Sequence, residues 1–90
     1  MSEVVTTLGF EPPQSVTMRQ ARLALLAAGL LGSVQTAINA LPSPQKEQAQ
    51  ISWDYSSEVL RNEPFTLLLS AALGLDAAAT DALFMQARNY

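Results

Sequence analysis

From residue 17 onward, apolar residues recur every three or four positions and are punctuated by proline, glycine and capping residues. That is the signature of short amphipathic helices joined by tight turns. Thr17 with Gln20 fits a capping box, and Val16 and Ala21 flank it as a hydrophobic staple. The stretch TMRQARLALLAAGLL therefore predicts a first helix from Thr17 to about Ala28, with Leu23, Leu26 and Leu30 contributing to the core. Gly29 is its left-handed stop, and Leu30 folds back over the last turn. A second helix is predicted from about Leu31 to Ala40, facing inward through Leu31, Val34, Ile38 and Leu41. So short a link makes the first two helices a hairpin or a bent pair.

Pro42-Ser43-Pro44 breaks the chain, with Ser43 as cap and Pro44 at the first helical position. The third helix is predicted from Pro44 to about Arg61, with Ala49, Trp53, Ser56 and Leu60 on one stripe and Tyr55 and Val59 beside it. Asn62-Glu63-Pro64 separates it from a fourth, Pro64 to Leu73, which is apolar on most sides and so central or covered; Leu68 and Leu69 are both expected to be buried. Gly74 stops that helix, Leu75 packs back, and Asp76 caps a fifth from Ala77 to about Arg88, facing in through Leu83, Phe84 and Ala87. The prediction is an all-α domain, a small bundle of about five short helices over residues 15–90, with no internal repeat.

Residues 1–14 follow a different pattern. Val4, Val5, Thr6 and Thr7 are β-branched, Gly9 and Pro12-Pro13 follow, and no helical period appears. They read as an extended N-terminal arm with a short strand at Val4–Leu8. Val4, Val5, Leu8 and Phe10 give the arm apolar positions to set against its own domain or a partner.

Composition sharpens the second alternative. Charged residues make up 14% of the 90-residue chain and hydrophobic residues 49%, against a usual charged share of about 25%. Such a balance is expected where part of the surface is covered, by a second copy of the chain or by another protein. The net charge is −3 with five basic residues, which argues against binding through nucleic-acid phosphates. There is no cysteine and no histidine, so thiolate chemistry is excluded and zinc sites and general bases lose their usual residues. The start MSEVVTTLGF lacks a basic n-region and predicts no secretory signal. The apolar run Leu23–Leu31 is far short of the roughly 20 residues needed to cross a bilayer.

Four constellations bear on function. Arg19 and Arg22 sit one turn apart near the start of the first helix, where positive charge opposes the helix dipole at a cost of a few tenths of a kcal/mol. An offset is expected from a carboxylate such as Glu11, from the third helix, or from an acidic patch on another chain. Trp53 and Tyr55 lie about 200° apart around a helix axis, so both cannot sit at the centre of one narrow face. Either Trp53 is core and Tyr55 covers a seam, or one is an exposed binding anchor. Asp54 and Glu58, four residues apart, read as solvated surface charge, since no histidine, lysine or glycine-rich loop accompanies them. SAALGLDAAATDALFMQAR has the outline of a helix-turn-helix, but its second helix opens on Asp76 and Asp81 instead of base-reading side chains, so it reads as a packing hairpin.

Taken together, VTMRQARLALLAAGLL, INALPSPQ, AQISWDYSSEVLRNEPF and ALGLDAAATDALF resemble small open reading frames among the tail genes of tailed bacteriophages and prophages. The resemblance runs from Val16 to Ala87 and rests on structural positions, among them Met18, Arg19, Arg22, Trp53, Tyr55, Pro64 and Gly74. It implies a non-enzymatic component or assembly helper of tail fibres and baseplates: a small adaptor or chaperone that binds a larger tail protein, in the virion tail or in the host cytoplasm during assembly. The partner-binding residues expected on that reading are Val4, Val5, Leu8, Phe10, Arg19, Arg22 and Tyr55. No cofactor, metal, small-molecule substrate, membrane or nucleic acid is implied. The alternative class is a small helix-turn-helix-like regulatory DNA-binding protein, disfavoured by charge. An enzyme is disfavoured because no nucleophile–base pair can be named.

Overall fold

The computed structural model describes residues 12–90; the expected strand at Val4–Leu8 lies outside the described residues. The elements run β1 (Ser15–Thr17), α1 (Met18–Ala27), α2 (Leu31–Asn39), α3 (Gln45–Tyr55), β2 (Glu58–Leu60), α4 (Pro64–Ala72) and α5 (Ala77–Ala87). The fold is all-α apart from a ribbon of two antiparallel strands, in which Val16 faces Val59.

The ribbon corrects the expected third helix. α3 stops at Tyr55, and Ser56 is already extended (φ −75°, ψ 139°). Two serines compete with helical hydrogen bonding at this point. Beyond them, β-branched Val59 is held in a strand that β1 pairs with and buries on its inner face. Ser56 and Leu60 therefore share no helical stripe with Trp53, and Asp54 and Glu58 lie on different elements. The start also differs by one residue. Pro44 is the N-cap, after a cis Ser43–Pro44 peptide. The Ser43 hydroxyl donates to the Glu47 carboxylate at 3.0 Å instead of capping the backbone.

The helix boundaries set by capping are where the sequence places them. The Gln20 amide N–H donates to the Thr17 hydroxyl (3.0 Å), and the Thr17 N–H donates to the Gln20 carboxamide (2.8 Å). Val16 and Met18 are buried, and Ala21 packs against the core. Asp76 receives the Ala79 N–H at 2.8 Å.

A repeat of backbone plan appears that the side chains do not announce. β1–α1–α2 and β2–α4–α5 are each strand, helix, left-handed glycine, helix. Gly29 (φ +77°) and Gly74 (φ +78°) supply the turns, at a φ that costs a residue with a Cβ about 1–2 kcal/mol. Leu30 N–H returns to the Leu25 carbonyl and Leu75 N–H to that of Ser70, both at 2.8 Å. This is the Schellman closure. The helix pairs turn through 106° and 112°. The second helix of each unit packs on the first helix of the other: α5 on α1, α2 on α4. SAALGLDAAATDALFMQAR thus forms no packed hairpin, because its second helix leaves the first at a wide angle and lies on α1.

The core takes Val34 and Ile38 of α2 (each fully buried), Ala49 and Trp53 of α3, Phe65 and Leu69 of α4, and Phe84 and Ala87 of α5. On α1 the expectation is corrected: Ala24 and Leu25 are buried, Leu23 and Leu30 are half-buried, and Leu26 is 60% exposed. Leu26 lies 100° round the axis from Leu25, past the edge of the buried face. On α4, Leu69 is buried, Leu68 is half-buried and Leu67 is exposed, so the helix is covered on one side only.

Candidate partner-binding face

Helix α3 divides its two aromatic residues between opposite faces. Ala49 and Trp53, four residues apart, point into the core. Ile51 and Tyr55, also four apart but rotated by about 200°, point away from it and are 59% and 82% exposed. The sides of this outer stripe are polar: Gln50 donates to Asp54 at 3.1 Å and receives the Gln35 amide of α2 at 2.6 Å. The sequence singled out Tyr55 but not Ile51, although the spacing that pairs it with Tyr55 is visible once Trp53 is assigned to the core.

The two arginines of α1 separate in the same way. Arg22 is half-buried. Its guanidinium carbon stands 3.9 Å from the centroid of the Trp53 ring, and Nη2 donates to the Trp53 carbonyl at 2.6 Å. That carbonyl belongs to the last turn of α3, where helix geometry leaves four acceptors unpaired and the dipole is negative. The offset expected from a carboxylate or a partner is thus provided by a helix C-terminus and an aromatic face inside the molecule. Arg22 joins α1 to α3. Arg19 is exposed on α1.

Of the remaining residues singled out for binding, Val4, Val5, Leu8 and Phe10 lie outside the described residues. Arg61, conspicuous at the end of β2, is an internal tie: its Nε donates to Asp81 of α5 at 2.6 Å with the arginine side chain 11% exposed. Glu47, in the first turn of α3, has its carboxyl held below the usual range by its own backbone N–H, by the Ser43 hydroxyl and by the nearby Lys46 charge. Among the described residues no three acidic, histidine or cysteine side chains gather where they could hold a metal ion.

No family model, no curated protein and no solved structure matches the chain.

Proposed function

We propose that the protein is a non-enzymatic adaptor or assembly chaperone of a phage tail, binding a larger tail-fibre or baseplate protein. The observation that supports this most is the outer face of α3. An exposed tyrosine and isoleucine one turn apart, on a helix whose opposite face is anchored by Trp53, form a rigid apolar pair with a polar surround. Aromatic anchors ringed by polar groups are the usual centre of a protein–protein contact. The low charged share of the chain supports the same reading, as does the resemblance to tail-gene products. Action is placed in the virion tail or in the host cytoplasm during assembly, and mass spectrometry of purified particles distinguishes the two.

Arg19 and the N-terminal arm extend the proposed contact. Co-expression with the candidate tail-fibre and baseplate proteins of the same phage tests it. Removal of residues 1–14 is expected to leave a helical domain by circular dichroism and to weaken capture, and Arg19→Glu to weaken it more mildly. Arg22→Glu is not an equivalent probe, because it breaks the contact with Trp53. Full-affinity capture by both the truncated protein and Arg19→Glu would remove the arm and Arg19 from the interface.

A further inference from the structure

Between the ribbon and helices α1, α4 and α5 the core is not filled. A cavity of about 60 Å³ lies there, walled by Val16 and Val59 of the ribbon, Leu25, Leu69, Phe84 and the Trp53 ring. Helix α2 contributes nothing to the wall, so the void belongs to one side of the repeated plan only. The wall is almost wholly apolar. Its two buried hydroxyls point their hydrogen bonds elsewhere: Thr66 donates to the Leu60 carbonyl at 2.5 Å and Thr80 to the Asp76 carbonyl at 2.9 Å. Among the described residues no buried side-chain nitrogen or oxygen lacks a partner. Water in so apolar a recess finds few of the two to four polar partners it needs, so an apolar guest displaces it readily, as apolar guests such as benzene or xenon enter a sealed void of about 150 Å³. The cavity is not sealed: it opens to solvent, and Ala21, Ser70, Leu73 and Leu83 of its wall are only half-buried.

We infer that this cavity is a preformed site for a small, uncharged apolar ligand, of monatomic to few-carbon size and smaller than an aromatic ring. The inference is independent of the partner-binding reading, since the cavity and the outer face of α3 share no residue. Xenon is the probe. Titration of the full chain with xenon under pressure, followed by methyl NMR, is expected to give saturable shifts at Val16, Leu25, Val59 and Leu69 and none at Val34 and Ile38 of α2. Ala24→Leu projects new carbons from the wall into the void and is expected to abolish the saturable shifts while keeping the parent's helical dichroism. If that variant does not fold, Ala21→Val fills the same space from its half-buried side. Shifts that rise linearly without saturating, that spread equally to Val34 and Ile38, or that persist in a folded filled variant would overturn the inference.

Discussion

The two strand–helix–glycine–helix units share a backbone and differ in almost everything that holds it. In β1–α1–α2, the first helix opens on a reciprocal capping box and the second opens at Leu30 with no side-chain cap. In β2–α4–α5 the arrangement is reversed. There α4 opens on Pro64, with the Glu63 carboxylate turned back to the Leu60 N–H at 2.9 Å, and α5 opens on a capping Asp76. The charged ties differ as well. Arg22 leaves its own unit to reach the last turn of α3, whereas Arg61 stays within its unit and pairs with Asp81. The second helices differ most in burial: α2 carries Ile38 and Val34, the largest fully buried side chains among the described residues, and lies away from the cavity, whereas α5 lines it. One backbone plan is thus satisfied by two unrelated sets of side-chain contacts. What the units have in common is the part that only backbone geometry dictates, a glycine at positive φ with the closure that follows it.

The largest contrast is expected in the core. Ile38→Ala removes a side chain packed on every side and should cost about 2–5 kcal/mol, enough to unfold so small a domain. Leu69→Ala faces the existing cavity, where some of its packing contacts are already missing, and should fall at the lower end of the same range. Chemical denaturation of both variants measures the difference, and a larger loss at Leu69 would reverse this account of where the core is tight.

The arginines come next. Arg22→Leu loses a cation–π contact and a charged hydrogen bond, together about 1–3 kcal/mol, while Arg19→Leu should change stability by less than about 0.5 kcal/mol. Trp53 emission should shift in the first variant and not in the second. The glycines test the equivalence of the two turns: Gly29→Ala and Gly74→Ala are each expected to cost about 1 kcal/mol through the φ penalty. Apart from the glycine and its two chain neighbours, no heavy atom lies within 4 Å of an added Cβ at either site, so unequal losses would mean that the turns are not equivalent.

The smallest effect is on acid stability. Because the Glu47 carboxyl is held below its ordinary value of 4.5, its contribution is present above that value and disappears as the pH falls through the lower folded value. Ser43→Ala should flatten the acid limb of a melting-temperature profile slightly and leave the neutral plateau nearly unchanged.

Much of the fold was legible from punctuation. The capping box at Thr17, the stops at Gly29 and Gly74, the start at Pro64 and the cap at Asp76 are local devices, set by residues within one turn of each other. The ribbon was not legible. Three residues of strand at Ser15–Thr17 and three at Glu58–Leu60 become strands only by meeting each other, 43 residues apart in the chain. For the same reason α3 ends before the expected Arg61: the two serines after Tyr55 only weaken the helix, and the distant pairing with β1 draws the following residues into a strand. The repeat was hidden because its common feature is a backbone path. At the candidate face, the opposition of Trp53 and Tyr55 followed from helical geometry alone. The role of Arg22 did not, because it meets the Trp53 ring and carbonyl only where the fold brings α1 to α3, and a backbone acceptor on another helix leaves no trace in the sequence.

The face of α3 turned away from the core is the proposed binding surface for a larger tail protein. The most direct test of that proposal is titration calorimetry of the double variant Ile51→Ser/Tyr55→Ala against the parent, with whichever tail-fibre or baseplate protein co-purifies with the parent on co-expression. Both side chains are exposed, so the variant should melt within a degree or two of the parent. It is predicted to bind at least about tenfold more weakly, the equivalent of about 1.4 kcal/mol. Parental affinity in a variant that is equally folded would contradict the proposal.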